Sequence, residues 1–261
     1  MKRFLHARPV AIAALVMITT CQFASAQSAE VAEPKTSLLP AKQILEKHLE
    51  AAGGRDNLKK MKGSVTKGKL QMPEVGIDSE LIIYQKAPSS FAMEFEIPGA
   101  GTIRRATNGE LAWEISPLMG PRLIEGEEKD QFLKEADIHA ALHHDKYYKS
   151  AETLEEVTLK DRPHYKVKLV TVNDKEEVRY FDAETFQVSK VEQTAITPFG
   201  EIEIAVNLDD YRDVDGLVIP FKVSQEVMGQ TQVMAFESID LKADVADDRF
   251  AVPSEIQELV P

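Results

Sequence analysis

The chain has 261 residues, a single cysteine and a formal net charge of −12 at pH 7. That length suits one domain, or at most two, with a substantial apolar core. The acidic balance argues against a nucleic-acid or anionic-lipid surface, which needs clustered Lys and Arg, and it favours solubility.

In chain order, Met1 to Ala26 comes first. A basic start (Lys2, Arg3, His6, Arg8) leads into an apolar run, Val10 to Ile18, and then into Ala24-Ser25-Ala26. This is the layout of a secretory signal peptide cleaved after Ala26, and it predicts a periplasmic or secreted protein. The apolar run is about half of the ~20 residues that a membrane-spanning helix needs, so no integral membrane segment is expected after cleavage. Cys21 raises the alternative of a lipid-modified N-terminus, but Thr20 stands where a lipobox has a small residue. Cleavage would remove that only cysteine, and with it disulfides and thiol catalysis.

Residues 27–40 read as a flexible leader, rich in Ser, Ala, Glu and Pro. A helix follows Pro40, with Ile44, Leu45, His48 and Leu49 at helical spacing and Gly53-Gly54 ending it. A short helical turn is expected over 55–61. From Gly63 the apolar period changes to two. Ser90 to Ile97 is the clearest strand, with Phe91, Met93, Phe95 and Ile97 alternating with Ala92, Glu94 and Glu96. Asn108-Gly109 predicts a tight hairpin turn between 102–107 and 110–116. Glu125 to Tyr147 reads as a helical interruption that either plugs the curved sheet or packs on it as core. Strands resume over 152–159, 164–172, 175–182, 187–196, 201–208, 217–227 and 231–241. The tally of about eleven strands predicts a mainly β, α+β protein: an antiparallel half-open barrel covered on one side by helices, over 41–261.

Four groups of residues carry a family resemblance. They are Ala51-Ala52-Gly53-Gly54 with Leu58 and Met61; Pro88 before Phe91 with Asn108-Gly109 and Trp113; Tyr180 to Thr185; and Tyr211 to Gly216 with Pro220. Over about residues 42 to 241 they resemble the outer-membrane lipoprotein-sorting (Lol-type lipoprotein carrier) superfamily of exported bacterial proteins. The resemblance implies a partly open antiparallel sheet around an apolar cavity that holds acyl chains. No functional position transfers residue by residue.

The wall of that implied cavity is expected to include Phe91, Met93, Phe95, Ile97, Trp113, Phe221, Met234 and Phe236, most of which strand alternation places on one face and in which Met adapts to irregular shapes. The competing reading is that these side chains fill a packed interior. His139 and His143, one turn apart on a helix and near Asp145, could chelate a metal, although no His-Glu-x-x-His motif is present. Arg104-Arg105 could turn one guanidinium inward, toward a headgroup or a helix carbonyl. No nucleophile elbow or phosphate-cradling loop is present.

The sequence thus predicts a non-enzymatic, cofactor-free carrier for a hydrophobic ligand or lipoprotein acyl chain, with a possible envelope protein partner. The alternatives are a metal-dependent hydrolase using His139 and His143, and a ligand-free protein-interaction module working through its acidic face.

Overall fold

Consecutive hairpins dominate the computed structural model, which describes residues 38–227 and 229–260. The expected signal segment, Cys21 and most of the leader lie outside the described residues. Helices α1 (Ala41–Ala51) and α2 (Gly54–Lys60) lead into β1 (Gly63–Met72), β2 (Ile77–Lys86), β3 (Ser90–Ile97), β4 (Gly101–Thr107), β5 (Ala112–Ser116) and β6 (Gly120–Ile124). Then come α3 (Gly126–Ala136), a 3-10 turn (Ala140–Leu142) and α4 (His144–Tyr147). The second group of strands is β7 (Tyr148–Leu159), β8 (Arg162–Thr171), β9 (Glu176–Asp182), β10 (Val188–Thr197), β11 (Gly200–Val214), β12 (Leu217–Val227) and β13 (Gln230–Asp240). A 3-10 turn (Asp247–Phe250) and α5 (Ser254–Gln257) follow.

The thirteen strands form one antiparallel sheet, ordered β6-β5-β4-β3-β2-β1-β13-β12-β11-β10-β9-β8-β7. The first and last strands therefore pair in its middle, and β6 and β7 are its unpaired edges. The sheet stays open, as expected of a half-barrel, with more strands than the eleven anticipated. One addition is β6, whose Pro121 argues against a strand in sequence. At an edge, with β5 as its only neighbour, a residue without an N–H is tolerated.

The seam in the middle needs close backbone approach. At Gly68 the register between β1 and β13 shifts, and a Cβ there would lie 2.2 Å from the Ala235 carbonyl oxygen. A second tight contact joins α1 to the β11–β12 turn. Gly53, at φ 114°, would place a Cβ 2.2 Å from the Gly216 carbonyl oxygen, to which Asn57 Nδ2 also donates at 3.3 Å.

Helix α1 packs on one arm of the sheet, burying Ile44 against Val167, Leu169, Phe181 and Val188. The chain after β13 covers the outer face of the other arm, where Val245, Phe250 and Ile256 enclose Trp113, Ala92 and Ala106. Between the two edges, β6 and β7, the chain runs through α3 and α4, so this segment crosses the opening.

That segment is not the continuous helix expected over Glu125 to Tyr147. It breaks at Asp137, whose backbone is extended. The Asp137 side chain accepts a hydrogen bond from the His139 amide at 2.9 Å and another from the Tyr147 hydroxyl at 2.6 Å. Such local side-chain bonds compete with helix continuation.

Candidate functional site

Cross-strand register defines the inner face, because residues directly opposite each other share a face. Val206 on β11 lies opposite Val191 on β10, and Leu208 opposite Val223 on β12. Val223 faces Met234 on β13, which faces Leu70 on β1, while Phe236 faces Gly68. Gly68 then faces Leu81 on β2. Leu81 faces Phe95 on β3, Ile83 faces Met93, and Gln85 faces Phe91. An apolar wall thus runs through the middle strands, and Phe91, Met93, Phe95, Ile97, Met234 and Phe236 remain only half-buried along it.

Two of the expected wall residues lie elsewhere. Trp113 is 0% exposed and alternates with the inward Glu114, so it points outward beneath the C-terminal segment. Phe221 is buried with the Arg212 guanidinium 4.3 Å from its ring centre, and it lines neither of the two cavities described next.

The larger cavity, about 1270 Å³, lies between α1, the 137–151 segment and β9 to β12. Its apolar lining includes Leu45, Leu49, Val191, Val206 and Leu208, residues that sequence reading did not nominate. A second cavity of about 440 Å³ lies beside α3 and shares Lys134, Glu177 and Gln193 with the first. The nominated wall residues line neither volume; they continue the same face through the middle of the sheet.

A polar cluster sits where the cavities meet. Arg179 Nε donates to Glu177 Oε1 at 2.6 Å, and Lys134 Nζ donates to Glu177 Oε2 at 2.9 Å. The Tyr148 hydroxyl accepts from Arg179 at 2.6 Å and donates to Glu177 at 2.9 Å. Burial would raise the Glu177 carboxyl, but Arg179 and Lys134 together hold it down at about 2. Burial opposes the charge on Lys134 too, and Glu177 outweighs it, so the ammonium titrates higher than usual. Glu177 and Arg179 were legible as charges two apart on the same strand stripe as the buried Phe181. That pattern marks an inward charge.

Helix α3 is held to both arms. Phe132 packs edge-on against Phe91 at 5.5 Å, and Glu128 accepts two bonds from Arg122, each 2.8 Å. Arg105 turns inward, as the Arg104-Arg105 pair suggested, but it contacts Glu128 at 3.3 Å and the Phe132 ring. Arg104 instead donates to the Arg249 carbonyl outside. On the opposite arm, Gln131 bonds the Thr194 carbonyl and the Ile196 amide, filling the end of β10 that β9 leaves unpaired.

The proposed histidine chelate is not assembled. With the helix broken, His139 Nε2 bonds the Met61 carbonyl at 3.0 Å and His143 lies beside Asp137 at 3.5 Å. Asp145 is exposed, and among the described residues no group of three or more His, Cys, Asp or Glu could hold a metal ion.

No family model matches the sequence, and no curated protein matches it. Solved structures do. A DUF1329 family protein from Desulfovibrio piger matches at a TM-score of 0.57 and 11% identity, over 82% of this chain and 98% of that one. A LolA superfamily protein from Nitrosomonas europaea matches at 0.54 and 14%, over 82% and 99%. A putative outer membrane lipoprotein-sorting protein domain from Vibrio parahaemolyticus matches at 0.53 and 10%, over 80% and 97%. The chain therefore shares its fold with structures of the LolA superfamily, the outer-membrane lipoprotein-sorting domains and the DUF1329 family.

Proposed function

We propose that the protein is an exported, periplasmic or secreted carrier that shelters a lipid or lipoprotein acyl chain against the inner face of its half-barrel. The observation that carries this reading is the 1270 Å³ cavity, lined by Leu45, Leu49, Val191, Val206 and Leu208, on a sheet face whose middle strands carry half-buried apolar side chains. Each methylene buried there would contribute about 0.8 kcal/mol, without any catalytic group. The fold shared with a LolA superfamily protein and a lipoprotein-sorting domain supports the same reading. Ligand release would follow movement of α3, which crosses the opening, upon meeting an envelope protein partner.

Titration with the fluorescent probe N-phenyl-1-naphthylamine tests this. The wild-type protein is expected to bind it saturably and to release it to lauric acid. Leu208→Asp in the cavity and Phe95→Asp on the continuing wall should each weaken binding at least tenfold, because an ionised side chain in an apolar wall repels the probe. Absence of saturable binding by the folded wild type would reject the carrier reading.

A further inference from the structure

We infer that the cavity selects amphiphiles whose polar end is a protonated amine, and that Glu135 on α3 receives it. This rests on the carrier reading and names the chemistry of the cargo. Five carboxylates line the larger cavity: Glu46, Glu135, Asp137, Asp145 and Glu177. Glu46 is paired with Arg55 at 2.8 Å, Asp137 with Lys146 at 3.5 Å, Asp145 lies 4.0 Å from His144, and Glu177 is held by Lys134 and Arg179. Among the described residues Glu135 and Asp145 alone of the five have no Lys or Arg partner, and the Asp145 side chain is fully exposed. Glu135 keeps solvent-accessible surface and lines the cavity.

The surroundings of Glu135 are those of a receiving group. Burial pushes its carboxyl up, with the Arg105 and Lys134 charges and a hydrogen bond from Gln131 opposing that only in part. A desolvated carboxylate without a cationic partner gains from an incoming cation. The two cations that act on it are already engaged, Lys134 with Glu177 and Arg105 with Glu114 and Glu128. Beside Glu135 an anionic headgroup would have to break one of these pairs, whereas an amine finds a carboxylate with no Lys or Arg partner. The apolar surface of Leu45, Val191, Val206 and Leu208 lines the same volume, so one ligand can reach the carboxylate and the wall together.

Displacement of N-phenyl-1-naphthylamine by dodecylamine, dodecanol and laurate, at equal concentrations below micelle formation, tests the inference. Dodecylamine is expected to bind about tenfold more tightly than dodecanol, the scale of one charge-assisted hydrogen bond. The near-isosteric Glu135→Gln should erase that difference while leaving dodecanol binding unchanged. Equal binding of amine and alcohol by the wild type, or an amine preference that survives Glu135→Gln, would overturn the inference and leave the carrier reading standing. Failure of every amphiphile to bind would overturn both. Phosphatidylethanolamine and a diacylated lipopeptide with a free α-amine, run as competitors, separate a lipid headgroup from an acylated protein end as the source. Failure of both to displace the probe would also overturn the inference.

Discussion

Phe132→Ala removes the main apolar anchor of α3. The ring is 3% exposed, packs against Phe91, Ala112 and Ile124, and lies under the Arg105 guanidinium at 4.6 Å. Truncating a buried Phe to Ala costs about 3–5 kcal/mol, counting the lost transfer energy and the cavity left behind. Edge-on contact with Phe91 accounts for about 1 kcal/mol of that. With a urea slope of about 2 kcal/mol/M, the midpoint should fall by roughly 2 M if the helix remains part of one cooperative unit. Should α3 instead detach locally, the polar anchors Gln131, Glu128 and Lys134 limit the loss. Amide exchange over residues 130–136 would then accelerate while the rest of the sheet stays protected. Paired urea denaturation and hydrogen-exchange mass spectrometry distinguish the two routes. A midpoint within about 0.3 M of wild type, together with unchanged exchange in α3, would refute the claim that Phe132 holds this helix on the sheet.

Three further outcomes follow from the same structure. His48 is half-buried with its ring edge-on to Phe181, and desolvation lowers its pKa from 6.5 to about 4; an unfolded chain therefore binds a proton there that the folded chain refuses. Stability should decline as pH falls from 6.5 toward 4, by about 3 kcal/mol at most, and His48→Gln should flatten that part of a pH-dependent thermal unfolding series. Gly68→Ala places a methyl against backbone atoms of Ala235 and Phe236, so the β1–β13 seam must shift. A loss of about 2–3 kcal/mol in urea is expected, and a loss below about 0.5 kcal/mol would show that the seam yields freely. Arg179→Gln leaves Glu177 with Lys134 as its one charged partner; a destabilisation of about 3 kcal/mol is expected, and a neutral result would contradict the role of the pair.

Most of the sheet was legible because its strands alternate and its turns carry their own chemistry. Ser90–Ile97 and Leu217–Val227 have the bounds that alternation and flanking turn residues indicate. Asp182 accepts bonds from the amides of Glu184 and Thr185, which explains why 182–185 reads as a turn. Asp215 and Gly216, with φ of 52° and 83°, supply the left-handed pair for the next tight hairpin.

What alternation could not reveal was packing between elements distant in sequence. Trp113 looks like a wall residue until the C-terminal segment, more than a hundred residues later, is seen to cover it. His139 and His143 look like a chelate until Asp137 breaks the helix. The strand Gly200–Val214 runs past Leu208, where the strict alternation ends, because Asp210 adopts a φ of 56° and the ladder resumes beyond it. The polar cluster needed three elements to meet: Lys134 from α3, Tyr148 from β7, and Glu177 with Arg179 from β9.

The most direct test of the carrier account is native mass spectrometry of the protein exported by a bacterial host and purified without detergent. The account predicts a defined added mass, extractable as a lipid or acylated species, that is lost in Leu208→Asp. A bare chain mass, from protein that also fails to take up dodecylamine or laurate afterwards, would contradict it.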